Sequence, residues 1–463
     1  MNNPSAKPSG FLKLSSVTGL QLFQLIRYGA FALIGVIFAK LHVPQSEIAT
    51  YEWLIMMAGL LSYFVLGGVV NTMLSLYPQQ SEEGKGKLLI NSFIILVAYN
   101  FLAALGVWLL RLTHVIPDKA TYKLLDVVVI YNLFNVPAYL IEYILYLKGR
   151  KKALLVYGLL SSALLIGLLS TAALNDLYGT FHDRFFWTTE FFEISVIICL
   201  VTVAFLKWCF LVGLLFIYGR VKPNWQLMKQ HVGLALPILL AIFVSGSSEY
   251  IDGLIVKSMP QKFGEVGFAV FRYGAKELPI LLIVANTLST AMIVPVAANL
   301  TTGLEELKNR SRRLMHLFFP VTIVLLIISP PLFRYVFSEN FVYSSLIFNI
   351  YLLLAIPRLV FPQTILTALK HNRFQLLSAI IELSLNVSLS IWLAHVMGLP
   401  GIAFGTLIAF IVDKLFQAIV VSRVCGIKPS QYVDFKPYLA YSFLSLLAFA
   451  LSFKLFQGGF WDF

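Results

Sequence analysis

The chain has 463 residues, 59% of them hydrophobic and 12% charged, with a mean hydropathy of +0.83 and a formal charge of +13. A soluble domain carries about 25% charged residues, so a soluble globular protein is excluded. The missing ten-residue alternating segments argue against an outer-membrane barrel. In a soluble protein the positive excess would point to nucleic acid. Here it follows membrane topology, and no nucleic-acid partner is expected.

The polar opening MNNPSAKPSG leads into a full-length apolar segment with no small-residue cleavage site, so the first helix reads as retained. Apolar runs long enough to cross a bilayer of about 30 Å predict thirteen helices: 15–41, 50–77, 88–111, 123–147, 153–174, 188–218, 232–257, 266–300, 314–337, 345–369, 374–396, 401–424 and 437–457. The fold class is an all-α polytopic membrane protein. Cys199, Cys209 and Cys425 sit in or beside these segments, and neither a disulfide nor a metal site is expected.

Placing the N-terminus in the cytoplasm puts 20 of the 35 Lys and Arg residues in cytoplasmic segments and 9 on the outer side, the bias expected of inner loops. Trp53, Trp108, Trp187, Trp392 and Trp461 then fall near outer boundaries, as interfacial anchors do. The basic loops LKGRKKA and LKNRSRR read as topology determinants, with binding of anionic lipid as the alternative.

An internal repeat is visible. Tyr51 to Pro78 in the second predicted helix and Phe268 to Pro295 in the eighth span the same 27 positions. The preceding helices end in IFAK and LIVK, each followed by a Pro-Gln pair, Pro44-Gln45 and Pro260-Gln261. The chain divides into an N-terminal lobe (1–218), a cytoplasmic linker (219–231), a C-terminal lobe (232–424) and an additional helix (437–457). Repeated halves place a transporter's substrate site between them near the midplane.

FALIGVIFAKLHVPQSEIATYEWLIMMAGLLSYFVLGGVVNTMLSLYP (31–78) resembles the first hairpin of bacterial polysaccharide flippases, members of the multidrug/oligosaccharidyl-lipid/polysaccharide (MOP) exporter superfamily. EYIDGLIVKSMPQKFGEVGFAVFRYGAKELPILLIVANTLSTAMIVP (249–295) resembles its second-half counterpart, with an acid at Asp252, a glycine turn at Gly264 and Gly267, and a proline at Pro295. The resemblance extends over about 15–424. It implies a V-shaped MOP-type transporter of two six-helix lobes, 12 core helices here followed by an extra one. It also implies a bacterial inner-membrane flippase. The cargo would be a lipid-linked oligosaccharide for cell-surface polysaccharide (lipopolysaccharide) biosynthesis, moved from the cytoplasmic to the outer leaflet. Its pyrophosphate would meet cavity cations on the first and eighth helices, which here are Arg27, Arg272 and Lys276.

Charge inside a membrane costs about 2.5–3.5 kcal/mol per group even on the mildest scale, so each intramembrane charge needs a partner or a role. Six cations fall in spans: Arg27, Lys207, Arg272, Lys276, Arg358 and Lys414. Depth counting pairs Asp252 with Arg272 and Glu249 with Lys276 across the turn joining the seventh and eighth helices. It also pairs Glu382 with Lys414. Arg27 and Arg358 have no acid at matching depth on the helices adjoining them in sequence, and Arg358 stands between Pro357 and Pro362. A guanidinium grips phosphate as a two-pronged fork, which makes Arg27 and Arg358 the expected phosphate ligands, with Arg272 and Lys276 as outer-cavity cations or members of ion pairs. Glu249 and Asp252 are the candidates for coupling to Na⁺ or a proton. Lys207 and Glu277 have no assigned role. No cofactor is expected, and the partners are the lipid-linked oligosaccharide, membrane lipids and a coupling cation.

Two other readings compete. A multidrug or organic-cation antiporter of the same superfamily needs a net acidic or apolar cavity, against which Arg27 and Arg358 speak. A membrane glycosyltransferase or polymerase would present an Asp-x-Asp pair or a large outer loop, and the sequence has neither. No phosphate-binding Walker loop is present either, so ATP hydrolysis is not expected.

Overall fold

The structure is a computed structural model and describes residues 16–112, 119–178, 191–219, 222–246, 248–276 and 278–457. Among these, all regular structure is helical. The reason is physical. Hydrocarbon offers no hydrogen bonds, so a spanning segment must satisfy its backbone internally. The N-terminal half comprises α1 (Ser16–Lys40), α2 (Gln45–Leu76), α3 (Glu82–Leu112), α4 (Lys119–Ala138), α5 (Leu140–Leu147), α6 (Lys151–Tyr178) and α7 (Phe191–Tyr218). The C-terminal half comprises α8 (Trp225–Gly246), α9 (Ser248–Ser258), α10 (Pro260–Gly274), α11 (Pro279–Ala291), α12 (Ile293–Ala298), α13 (Leu300–Val336), α14 (Ser344–Leu352), α15 (Ala355–Arg358), α16 (Pro362–Ala368), α17 (Asn372–Met397) and α18 (Leu399–Val424), with α19 (Phe435–Gln457) last. Large apolar side chains such as Phe101, Leu102, Phe216, Ile217, Phe443 and Leu447 stand exposed, as a lipid-facing surface requires.

Eleven described helices are long and apolar enough to cross a bilayer. The pair Ser344–Arg358 and Pro362–Ala368, bent by 44°, brings the number to up to twelve. Thirteen continuous spans were expected, and among the described residues two of them are broken: the one at 266–300 is divided among α10, α11 and α12, and the one at 345–369 among α14, α15 and α16. The segment expected at 232–257 is described as α8 and α9 on either side of residue 247, which lies outside the described residues. Pro279 and Pro362 open α11 and α16, where a residue without an N–H costs nothing. The same ring cannot donate to the turn before it, so the helix stops there. At the turn opening α10, Gly264 adopts φ +62° and ψ −171°, a conformation side-chain-bearing residues avoid.

The cores reveal the shape. One cluster collects Ile34, Phe38, Trp53 and Met56 from the N-terminal half with Val256, Phe268, Tyr273, Phe341 and Ile402 from the C-terminal half. These residues lie at the predicted outer ends of their helices. At the predicted cytoplasmic ends the core is split. Phe23, Val69, Leu88, Ile144 and Leu215 belong to one cluster, and Met292, Leu307, Phe319, Ile365 and Val421 to another. The molecule is a V, joined where the halves share one core and divided at the other end, where α8 of the C-terminal half reaches the N-terminal cluster through Leu227 and a contact of His231 Nε2 with the Val69 carbonyl at 2.9 Å. On one side of the parted end, Gly67 and Gly68 of α2 admit Ile242 and Leu239 of α8, so these two helices touch along their length.

Close approach also fixes α10. A Cβ on Gly274 would lie 2.4 Å from the carbonyl oxygen of Ser344 and 2.7 Å from the Ile347 Cβ. We therefore expect Gly274→Leu to separate α10 from α14 and to cost about 1–3 kcal/mol through overpacking. The lowered melting temperature of the purified protein in detergent would record it. Gly106→Leu, where nothing lies within 4 Å of the new Cβ, is the control and should melt like the parent.

Candidate functional site

Three constellations of charge are built inside the spans. The first is on the N-terminal half. Arg27, near the middle of α1, places Nη1 3.2 Å from Glu142 Oε1. Its guanidinium also lies 5.0 Å from the centre of the Tyr139 ring and 5.6 Å from that of Phe23, distances at which a cation gains from the ring face. Glu142 stands in the first turn of α5. Pro137 leaves an unmade backbone bond at the end of α4, and the chain bends into α5 there. Arg27, which has no acid at matching depth on the helix next to it in sequence, thus finds one on a helix distant in sequence. Depth counting compared it only with its sequence neighbours, whereas α1 packs on α5 and α6.

Arg27, Tyr28, Ser62, Tyr63, Asn71, Tyr139, Glu142, Tyr143 and Tyr250 line a cavity of about 350 Å³ between the halves. Phenol and amide groups with one cation suit hydroxyl-rich or anionic ligands. Behind Arg27 lies a smaller cavity of about 50 Å³ within the N-terminal half, bounded by the same Arg27, Tyr139 and Glu142 together with Asn135, Ser161 and Lys207. A third cavity, about 490 Å³ and almost wholly apolar, opens between Leu22 and Leu25 of α1 and Ile280, Ile283 and Val284 of α11, with Arg310 and Arg313 of α13 at its predicted cytoplasmic edge.

The second constellation ties the halves together. Arg272 and Lys276 share an acid, and it is not Asp252. Arg272 Nε donates to Glu52 Oε2 of α2 at 3.3 Å, and Lys276 Nζ is 3.8 Å from Glu52 Oε1. The expected Asp252–Arg272 pair is thus replaced by an acid from the opposite half, while the expected Glu249–Lys276 pair falls on a side chain outside the described residues. The sequence analysis did not single out Glu52, and its only signal there is a charge near the start of a span. Next to the pair, the buried Tyr273 donates to the Gly35 carbonyl of α1 at 3.0 Å and stacks on Phe341 with centroids 4.1 Å apart. Gln45 Nε2 reaches the Asn340 carbonyl at 3.0 Å. Apart from the Tyr273–Phe341 stack, which lies within the C-terminal half, these contacts cross from one half to the other at the predicted outer end. The side chains of Glu249 and Glu277 lie outside the described residues.

The third constellation belongs to the C-terminal half alone. Asp252, 3% exposed, accepts hydrogen bonds at Oδ2 from the Tyr351 and Thr406 hydroxyls. Thr406 Oγ1 also accepts from Asn386 Nδ2 at 3.2 Å. The Oδ1 atoms of both Asp252 and Asn386 are buried without a hydrogen-bond partner, and no cation pairs with Asp252 among the described residues. Lys414 Nζ stands 3.1 Å from Oδ2 of Asp413, its neighbour in the chain, and 3.4 Å from Gln363 Oε1. Arg358 rests with its guanidinium 4.7 Å from the centre of the Phe410 ring and is not among the residues lining the 350 Å³ cavity. The structure thus keeps the two candidate arginines apart. Lys207, left without a role above, donates to Asn135 Oδ1 at 2.9 Å.

No family model matches the sequence, and no curated protein matches it. Solved structures do. The fold is similar to that of the lipid II flippase MurJ in an inward closed conformation, over 94% of this chain and 93% of the other, with a TM-score of 0.63 and 18% identity. It is similar to an inward-facing multidrug resistance MATE family transporter of the MOP superfamily over 88% of this chain and 96% of that one, at a TM-score of 0.54 and 14% identity. A MOP superfamily transporter from Pyrococcus furiosus Vc1, whose binding pocket is described as having reverse polarity, matches over 87% and 92% at a TM-score of 0.54 and 14% identity. The chain therefore has the MOP-type transporter fold.

The Glu52–Arg272 contact is open to a direct test. Glu52→Ala and Arg272→Ala should each lower the melting temperature, and the double variant should lose less than the sum, with a coupling of about 0.5–3 kcal/mol. Strict additivity would show that the two side chains do not act as a pair.

Proposed function

We propose that the protein flips a polyprenyl-pyrophosphate-linked oligosaccharide from the cytoplasmic to the outer leaflet of a bacterial inner membrane by alternating access. The observation that carries this reading is the pair of cavities flanking α1. The 350 Å³ cavity offers tyrosines, serine and asparagine around one guanidinium, which matches sugar hydroxyls and a phosphate. The 490 Å³ cavity is an apolar slot between α1 and α11 with two arginines at its edge, which matches a hydrocarbon chain below an anionic head. A substrate that is polar at one end and hydrocarbon at the other fits both at once. The fold shared with MurJ supports the reading, and the reading needs no catalytic step.

In this scheme Arg27 takes the pyrophosphate. The fork of the guanidinium exceeds a carboxylate's demand when a phosphate with more acceptor oxygens competes for it. Arg272 and Lys276 become available to the cargo only when the Glu52 contact opens, which is also when the outer end parts. The N-terminal and C-terminal lobes (1–218 and 232–424) move as the two arms, with 219–231 between them. Asp252 serves the coupling. A buried carboxylate without a cationic partner must hold a proton or a cation. Asp252 and Asn386, linked through the Thr406 hydroxyl by Oδ2 and Nδ2, each keep an unpartnered Oδ1, and oxygen donors of this kind suit a hard ion such as Na⁺ or a proton.

A second reading has one observation in its favour. Glu142 also lines the central cavity, and an acid there would suit an organic cation, as in a multidrug antiporter on the same fold. Vesicles reconstituted with the purified protein and a fluorescent polyprenyl-pyrophosphate oligosaccharide separate the two. Arg27→Ala should reduce flipping at least tenfold; because it also strips the buried Glu142 of its partner and lowers melting, Glu142→Gln, which breaks the same pair, is the stability control and should keep flipping. Unchanged flipping in Arg27→Ala, or a gain in uptake of an organic cation, would favour the antiporter. In the same vesicles Asp252→Asn should remove the dependence of flipping on a Na⁺ or pH gradient. If the gradient dependence persists, coupling does not pass through Asp252.

A further inference from the structure

Glu142 is 2% exposed, yet only one of its carboxylate oxygens is used. Oε1 accepts from Arg27, while Oε2 is buried with no hydrogen-bond partner. A carboxylate oxygen left bare in a low-dielectric interior is costly, so its position calls for a use. The small cavity behind Arg27 supplies one. Its wall holds Glu142 and Lys207 together, and Lys207 is kept in place by Asn135 at 2.9 Å. Asn135 and Glu142 stand on either side of the Pro137 break, one on α4 and the other on α5. Glu142 therefore belongs to a segment that is not locked into the preceding helix, and a lysine of α7 waits across a cavity with room for a side chain to turn.

We infer that Lys207 is a positioning residue that receives Glu142 when substrate arrives. The inference rests on the reading that Arg27 takes the phosphate. As the phosphate engages Arg27, the Glu142 carboxylate leaves the guanidinium and turns toward the Lys207 ammonium. The acid stays paired in both states, and it does not repel the incoming anion from the cavity wall. Without Lys207, Glu142 could leave Arg27 only by standing unpaired in the interior, so the Arg27–Glu142 pair would compete with the substrate. The other charged or titratable groups facing this exchange are Tyr131, Tyr139 and Tyr157 of the same cavity and Tyr143 beside it. None of them supplies a second cation.

The test uses the full-length protein in lipid nanodiscs with farnesyl diphosphate as the probe. Lys207→Met should weaken binding about tenfold, the size of one charge-assisted hydrogen bond, and Lys207→Arg should bind within a few-fold of the parent. The deciding variant is Lys207→Met combined with Glu142→Gln. With the competing charge removed, binding should return to near the parent value, which a merely structural role for Lys207 would not produce. If the double variant binds as poorly as Lys207→Met, Lys207 does not act through Glu142 and the inference fails. If Lys207→Met binds normally, it fails as well. Where Lys207→Met does not yield a folded protein by melting, Lys207→Gln, which keeps a donor for Asn135, takes its place with the same expected outcomes. Arg27→Ala separates the two levels. Unchanged diphosphate binding in that variant overturns the phosphate reading itself, whereas lost binding there with no rescue in the double variant overturns only the exchange.

Discussion

Hydrocarbon supplies neither water nor counter-ions, and every charge and every broken helix in this chain must find its partner inside the protein. That constraint sorts the buried charges into two kinds. Arg27 with Glu142 and Asp252 with its hydroxyls are partnered within one half, so they travel with that half as a unit. Among the described residues, the acid that meets Arg272 and Lys276 is Glu52 of the other half. Any separation of the halves at that end must replace the Glu52 carboxylate with another partner. The same end carries the shared apolar core and the Tyr273–Gly35 bond, so charge, hydrogen bonding and burial all resist opening at one place.

The break in the eighth predicted helix serves this arrangement. α10 ends at Gly274, where the backbone of α14 leaves no room for a side chain, and α11 starts afresh at Pro279. Irregular backbone at membrane depth is tolerated where protein or a water-filled cavity surrounds it, and broken helices mark ligand paths in transporters. Here Arg272 stands just before the break and Lys276 within it, both toward Glu52 of α2. The α11 segment below it forms one wall of the apolar cavity against α1. One interruption thus presents charge to the outer junction and hydrocarbon surface to the inner slot.

Much of the fold was legible because apolar run length and the Lys/Arg bias are local signals. The all-helical membrane class and the V-shaped MOP-type plan could be read from them and from the hairpin resemblances. The breaks at 275–278 and 359–361 were not read, although Pro279 and Pro362 were visible, because hydropathy does not change across a break. The site was less legible for a different reason. Pairings such as Arg27–Glu142, 115 positions apart, and Arg272–Glu52, 220 apart, depend on which helices are neighbours in space. Sequence adjacency was a poor substitute: it offered Asp252 to Arg272 because they share a hairpin, while the fold turns Asp252 toward Tyr351 and Thr406 instead. The repeat did carry useful information, since it aligned α2 with the α10–α12 region, and Glu52 and Arg272 come from those two segments.

The last helix follows the twelve-helix plan in sequence, but its bonding makes it part of the C-terminal arm. Asn349 Nδ2 reaches Ser452 Oγ at 3.1 Å in the interior, His316 Nδ1 meets the Tyr441 hydroxyl at 2.9 Å, and the approach to α19 is anchored by Arg312 to Asp434 and by Lys308 to the Ser430 carbonyl. The bonds from Lys308, Arg312 and His316 hold the first half of α13, and Asn349 of α14, which also donates to the Leu326 carbonyl at 3.1 Å, links α19 to its second half, where Pro320, Pro330 and Pro331 interrupt the backbone bonding. A splinted helix tilts as one body. In the alternating-access scheme proposed above, a displacement at one end of α13 would then reach the other end undiminished.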